Sequence, residues 1–224
     1  MNAPRSSEEL VAELSGALAP VRPIPALRAQ LLAVACVWAA TGAALLAFAG
    51  ARPVAVLTRG AVSAAIVADL ALLGVAGLAV GLAVRVPGRE RAVRAAYAAL
   101  AAGAALGVAL LVPLLGTPPE PDVFALGRRC MDRSFLLAIP TAALAAALAV
   151  RGAPWHAWAS AVGVTLGASA LGGLLVHLTC PSPSPWHWLV AHALVPAVGG
   201  LALGLAAGWL VSRQRARGGP REAT

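Results

Sequence analysis

Two cysteines and two histidines give this sequence the side chains needed to bind a metal ion or to respond to oxidants. Cys130 and Cys180 lie 50 residues apart, and His177 and His187 flank the second cysteine. Thiolate and imidazole are the ligands that zinc and similar ions prefer. We therefore take Cys130, Cys180, His177 and His187 as candidate ligands of a divalent metal ion.

The cysteine pair has two further interpretations, a static disulfide and a redox sensor. Arg128, Arg129 and Arg133 surround Cys130, and their positive charge favours a thiolate. A thiol–disulfide exchange enzyme is disfavoured because the sequence contains no CxxC motif. The third cysteine, Cys36, lies inside an apolar run and is predicted to be a small buried group.

The histidines also allow a different cofactor. His177 and His192 are predicted to lie at similar depth on adjacent helices, where two imidazoles could ligate haem iron from both sides. Taken singly, each histidine has a simpler interpretation. His187 lies between Trp186 and Trp188, which is typical of a polar residue at headgroup level. His192 is predicted to be a hydrogen-bonded group inside the bundle.

Asp69 is the one acidic residue within a predicted membrane span. An ionised carboxylate near the bilayer centre costs about 2.5–3.5 kcal/mol on insertion scales, so a functional role is the default hypothesis. The alternative function that it suggests is a small transporter. A carboxyl that faces the bundle and bonds to Ser63 or Thr41 is the competing, structural interpretation.

The composition requires membrane helices to hold these residues. The chain has 224 residues, of which 60% are apolar and 12% charged, and its mean hydropathy is +0.82. Soluble domains are about half apolar and about a quarter charged. The predicted fold is all-α, an integral membrane bundle of six transmembrane helices of about 20 residues each. The predicted spans are Leu31 to Ala49, Ala61 to Val84, Ala95 to Leu115, Ser134 to Val150, Ala157 to Leu178 and Leu189 to Val211.

The arginines predict the orientation of the bundle. Both termini and the second and fourth loops carry 12 of the 17 arginines. The positive-inside rule therefore predicts cytoplasmic termini. Cys130 in the third loop and Cys180 in the fifth then face the non-cytoplasmic side. Because the arginines flank apolar runs, the net charge of +8 predicts no direct binding of nucleic acid, and the short loops leave no room for a soluble catalytic domain.

The N-terminal segment, residues 1–27, is predicted to bind a protein partner. Ser6-x-x-Glu9 is a capping box, and an apolar stripe follows at helical spacing, formed by Leu10, Val11, Leu14 and Leu18. Helices that lie on membranes are usually basic, whereas this one is acidic, so a protein partner is favoured over lipid. Residues 28–212 form the predicted six-helix domain and residues 213–224 an Arg-rich cytoplasmic tail.

Small residues predict close helix packing. Gly77-x-x-x-Gly81 lies in the second span, and Gly200-x-x-x-Gly204-x-x-x-Gly208 lies in the sixth. Packing within the chain is the favoured interpretation over dimerisation, and the oligomeric state stays open.

Several short motifs resemble the NrsF family of six-span bacterial anti-sigma factors. They occur in order over nearly the whole chain, with Cys130 opening the fourth span. The other motifs are Glu8-Glu9-Leu10-x-x-x-Leu14, Pro20-Val21-Arg22-Pro23, Val86-Pro87-Gly88, Arg151-Gly152-Ala153-Pro154 and His177-Leu178-Thr179-Cys180-Pro181 running into Ser184-Pro185.

The resemblance implies a function and a mechanism. It implies a cytoplasmic N-terminal segment that binds an extracytoplasmic-function (ECF) sigma factor and keeps it from RNA polymerase. It further implies that Cys130 and Cys180 sense metal or oxidative stress on the other side and cause release. Neither role requires enzymatic activity.

Overall fold

The computed structural model describes residues 6–16, 23–49, 60–116, 118, 123–151 and 156–217, and these residues contain helices and no strand. The all-α prediction is confirmed, and six helices are long and apolar enough to span a membrane. The helices are α1 (Ser7–Gly16), α2 (Leu27–Ala49), α3 (Ala61–Ala83), α4 (Glu90–Leu111), a 3-10 helix (Val112–Leu114), α5 (Val123–Ala149), α6 (Ala157–Thr179), α7 (Pro185–His187), a π-helix (Trp188–Leu194) and α8 (Val195–Arg217). The last three follow one another and form the sixth candidate span, Pro185–Gln214.

The fourth span begins earlier than the sequence predicted. The apolar window began at Ser134, but α5 begins at Val123. Cys130 is therefore part of a helix, and its predicted place in a loop is wrong. The arginines between residues 128 and 133 lower the hydropathy, yet arginine is a good helix former, so the helix continues through them.

Helix α6 is the central helix of the bundle. In the most apolar stretch of α6, 72% of the residues are buried inside the bundle. The corresponding share is 11–22% in α2, α4, α5 and the last span. Its main neighbours are α3, α5 and α8. A Cβ at Gly163 would lie 2.6 Å from the carbonyl oxygen of Gly77, so these two backbones approach closely. Gly204 of α8 lies similarly close to Val162. Both predicted small-residue faces thus pack inside the chain.

The sixth span changes its helical pitch near its start. Residues Trp188–Leu194 form a π-helix, directly before α8. Pro196 lacks an N–H, and its ring disfavours α-helical bonding to the carbonyl four residues earlier, at His192. The chain widens into the π-helix just before this proline, and such segments often lie at functional sites.

Helix α2 lies at the edge of the bundle. It packs chiefly against α5, and the Trp38 indole donates a hydrogen bond to the carbonyl oxygen of Leu171 in α6 at 3.1 Å. Cys36 is exposed on α2. The prediction that Cys36 is buried is therefore wrong, because the small thiol lies on the outer face of a peripheral helix.

The capping box at the N-terminus of α1 is confirmed. The backbone N–H of Glu9 donates to Ser6 Oγ at 3.2 Å, and the N–H of Ser6 donates to Glu9 Oε2 at 3.0 Å. Val11, a member of the predicted stripe, is 64% exposed. The structure does not describe the rest of the stripe, which is Leu18 and the side chains of Leu10 and Leu14. It also does not describe residues 218–224 of the predicted tail.

Candidate metal centre

Helix α5, the end of α6 and the start of the last span bring four ligand side chains together at one end of the bundle. Cys130 lies on α5, Cys180 follows the end of α6, His187 ends α7, and His192 lies in the π-helix. One ligand atom from each of the four lies within 4.8 Å of every other. Two of the four, Cys130 and Cys180, are 50 residues apart and meet because α5 packs on α6.

Two interatomic distances in the cluster match those of a tetrahedral zinc site. Zn–S bonds of about 2.3 Å and Zn–N bonds of about 2.0–2.1 Å place two sulfurs about 3.8 Å apart and a sulfur and a nitrogen about 3.5 Å apart. The Sγ atoms of Cys130 and Cys180 are 3.9 Å apart, and Cys180 Sγ lies 3.4 Å from His187 Nε2. The thiols are about twice a disulfide bond length apart, and both cysteines are free.

The cluster is shielded from its surroundings on most sides. His192 is fully buried, Cys180 and His187 are 5% exposed, and only Cys130 is half-buried. A hydrogen bond with Cys130 and the adjacent His192 lower the pKa of the Cys180 thiol below its usual range, against the opposing effect of burial. Cys180 is therefore predisposed to act as a thiolate ligand.

His177 lies behind the cluster and not in it. Its Nδ1 is 3.1 Å from Nδ1 of His192, and its Nε2 is 3.0 Å from Ser63 Oγ on α3. Nδ1 of His192 faces His177, so Nε2 is the His192 nitrogen that would coordinate a metal ion. In that arrangement His192 donates from Nδ1 to His177, and His177 donates from Nε2 to Ser63. Metal-binding histidines usually have such a partner for their second nitrogen.

Two adjacent glycines on α6 let the ligand-bearing helices approach. A Cβ at Gly172 would collide with the carbonyl oxygen of Ser134, one turn after Cys130 on α5. A Cβ at Gly173 would collide with the carbonyl oxygen of His192. The glycines thus fix the distance of both Cys130 and His192 from α6. A search for the GxxxG pattern does not find them, because no glycine lies four residues before or after either one.

The structure changes the roles of the histidines. His187 is buried beside Cys180, and His192 is buried and hydrogen-bonded as expected. The sequence pattern predicted His177 as a metal ligand, but in the structure His192 takes its place among the four clustered side chains. In an α-helix, residues five apart point about 140° apart, so His187 and His192 would not share a face. The π-helix brings them together, and Pro196 is the one sequence signal of it.

The haem alternative has a specific geometric obstacle. Metal–nitrogen bonds of about 2 Å would place two axial nitrogens about 4 Å apart across the iron. The facing Nδ1 atoms of His177 and His192 are 3.1 Å apart, and their rings meet edge to face. This pair has the geometry of a direct hydrogen bond.

Comparison with known proteins adds no relative. No family model, curated protein or solved structure matches this chain. The functional argument therefore depends on the geometry of the cluster and on the pattern of the sequence.

Proposed function

We propose that this chain is a membrane-bound anti-sigma factor of the bacterial inner membrane. It binds an ECF sigma factor at its cytoplasmic face and releases it when Cys130, Cys180, His187 and His192 bind a divalent metal ion. The observation that carries the proposal is the buried cluster of two cysteines and two histidines. The NrsF-like motifs supply the anti-sigma role.

The cluster is better suited to sensing than to catalysis. Catalytic zinc sites keep one coordination position open for water or substrate, whereas sites with four protein ligands are closed. Here four protein ligands are available and three of them are buried. The half-buried Cys130 offers the route by which an ion enters. We therefore assign no enzymatic activity to this site.

The ligands belong to segments that can move relative to one another. Binding one ion ties α5 to the last span and to the end of α6, and so favours one packing arrangement of the bundle. A metal ion shifts a conformational equilibrium only if it binds one state more tightly. A shift from 1:99 to 99:1 needs about 5.5 kcal/mol, less than the roughly 10–16 kcal/mol of a structural zinc site.

A chain of contacts connects the cluster with the N-terminal segment. Helix α5 carries Cys130, α2 packs chiefly against α5, and α1 precedes α2. The carbonyl oxygen of Pro25 accepts hydrogen bonds from Gln30 Nε2 at 2.7 Å and from Arg89 Nη2 at 2.9 Å. The start of α2 therefore lies beside the Arg-rich connection of α3 and α4, at the proposed cytoplasmic end. In this proposal, movement of α5 is passed to the start of α2, to which the N-terminal segment is joined in the chain.

The first experiment tests release. Candidate ECF sigma factors of the source bacterium are captured on the detergent-solubilised full chain, with a chelator or with Zn²⁺. We expect capture with chelator and release with Zn²⁺ in wild type and in Cys36→Ser, the matched control on α2. The double variant Cys130→Ser, Cys180→Ser keeps the sigma factor under both conditions. Equal capture with and without Zn²⁺ in wild type contradicts the switch, and no capture under any condition contradicts the anti-sigma role.

The second experiment tests the contact surface on α1. Val11→Asp places a charge in the apolar stripe, and Ala12→Asp places the same charge on the opposite face of the helix. We expect Val11→Asp to abolish capture and Ala12→Asp to retain it, while both variants insert in the membrane and bind Zn²⁺ normally. Full capture by Val11→Asp would show that the sigma factor binds elsewhere.

A further inference from the structure

A second buried polar group lies in the bundle, away from the metal cluster. Asp69 on α3 is 2% exposed, and its Oδ1 atom has no hydrogen-bond partner in the described part of the chain. The hydroxyls expected to satisfy it are engaged elsewhere. Ser63 is bonded to His177, and Thr41 donates to the carbonyl oxygen of Val37 at 2.9 Å.

Asp69 borders a cavity of about 260 Å³ between α3, α4 and the last span. Among the described residues that line it, Asp69 has the one polar side chain, and the others are aliphatic residues or glycine. Gly103 and Gly107 keep α4 from filling the space. A Cβ at Gly107 would lie 3.7 Å from both carboxylate oxygens. The carboxyl group therefore forms the polar end of an apolar cavity.

The cavity opens on the outer surface of the bundle, where lipid chains lie. Three of its lining residues are well exposed, namely Val108 of α4 (65%), Val198 of α8 (56%) and Leu201 of α8 (42%). Asp69 is three residues from the middle of α3, which corresponds to about 4.5 Å along the helix axis. At that depth lipid headgroups do not reach the carboxyl. An occupant must therefore enter from the hydrocarbon region.

We propose that this cavity binds a lipophilic molecule that carries a hydrogen-bond donor, an amine or a hydroxyl group on an apolar chain. The donor satisfies the Asp69 carboxyl, which a hydrocarbon chain leaves unpaired at a cost in free energy. The apolar walls hold the rest of the molecule. The described lining residues include no cationic side chain, which disfavours anionic ligands, and only one possible metal ligand, Asp69, which disfavours a metal ion.

The test uses photoreactive alkyl probes and the full chain in lipid nanodiscs. Three probes share one chain and end in a primary amine, an alcohol or a methyl ester, which only accepts hydrogen bonds. We expect at least one donor probe to label the cavity residues about tenfold more than the ester, the factor for one hydrogen bond to a carboxylate. Equal labelling by all three probes overturns the proposal. Amine labelling without alcohol labelling identifies an ammonium ligand, and labelling by both identifies a neutral donor site.

Variants locate the labelled site. We expect Asp69→Leu to remove the preference for donor probes over the ester. We expect Asp69→Asn to remove the preference for the amine probe over the ester. Val108→Trp blocks the opening without touching Asp69 and lowers labelling by donor probes, whereas Val75→Trp, on another exposed part of α3, leaves it unchanged. Unchanged labelling of both Asp69→Leu and Val108→Trp overturns the proposal. Neither result depends on a sigma factor or a metal ion.

Discussion

Ser63 and Asp69 lie six residues apart on the same helix, yet their surroundings differ in kind. Ser63 joins a chain of hydrogen bonds through His177 to His192 and the cysteine pair. Asp69 borders an apolar cavity, and its Oδ1 atom is unpaired within the described residues. A buried polar group in a membrane bundle can thus be satisfied by a hydrogen-bond partner within the protein, or it can require a hydrogen-bond partner from outside the protein.

The two environments favour different ligands. At the cluster, polar groups orient one another before any ligand arrives, which favours an ion that needs fixed positions. At Asp69 the protein supplies one polar contact and much apolar surface, which favours a larger lipophilic molecule.

The largest effect is expected for a ligand of the cluster. Cys180→Ser should lower Zn²⁺ affinity about 100- to 1000-fold, because a four-ligand zinc site is worth about 10–16 kcal/mol in total. Competition with a chromophoric chelator measures the change. Cys36→Ser serves as the control and should bind one ion with wild-type affinity. Equal affinity of the two variants would remove Cys180 from the site.

A smaller loss is expected for the residue behind the cluster. His177→Ala should weaken Zn²⁺ binding about 10- to 100-fold, the range for the loss of an outer hydrogen-bond partner. The visible spectrum of the Co²⁺-substituted protein separates positioning from ligation. His177→Ala should keep the tetrahedral spectrum of wild type and His192→Ala should lose it. The reverse pattern would make His177 the ligand and His192 the support.

The glycine contacts of α6 predict an effect on packing and on metal binding together. Gly173→Ala should lower both stability and Zn²⁺ affinity by about 1–3 kcal/mol, because its Cβ pushes the carbonyl of His192 away from α6. Thermal unfolding with and without Zn²⁺ measures both quantities. Gly116→Ala is the matched control, since a Cβ there meets no atom within 4 Å. If both variants behave alike, close approach at Gly173 does not position the ligand.

The smallest effect, and one of opposite sign, is expected at Asp69. Asp69→Leu should stabilise the purified, ligand-free chain by about 1–2 kcal/mol, because it replaces an unpaired buried carboxyl with an apolar group. Urea or thermal unfolding in detergent measures the change. Ser63→Ala should destabilise the chain, since it leaves His177 without its serine contact. Destabilisation by Asp69→Leu would mean that the carboxyl has a partner.

Six helices long and apolar enough to span a membrane, the capped helix at the N-terminus, and the choice of Cys130 and Cys180 as candidate ligands all follow from the sequence alone. These features depend on local properties, namely apolar length, a capping box spaced three residues apart, and rare residue types. Hydropathy placed the start of α5 too late, because it measures polarity and arginine does not interrupt a helix.

Which groups meet depends on how the helices pack. His192 joins the cluster because a π-helix changes the angle between it and His187, and because Gly172 and Gly173 let α5 and the last span approach α6. Within the part of the chain that the structure describes, Oδ1 of Asp69 lies unpaired because Ser63 bonds to His177 and because glycines leave a cavity beside α4. Such contacts depend on the packing of residues far apart in the chain, which local sequence patterns do not encode.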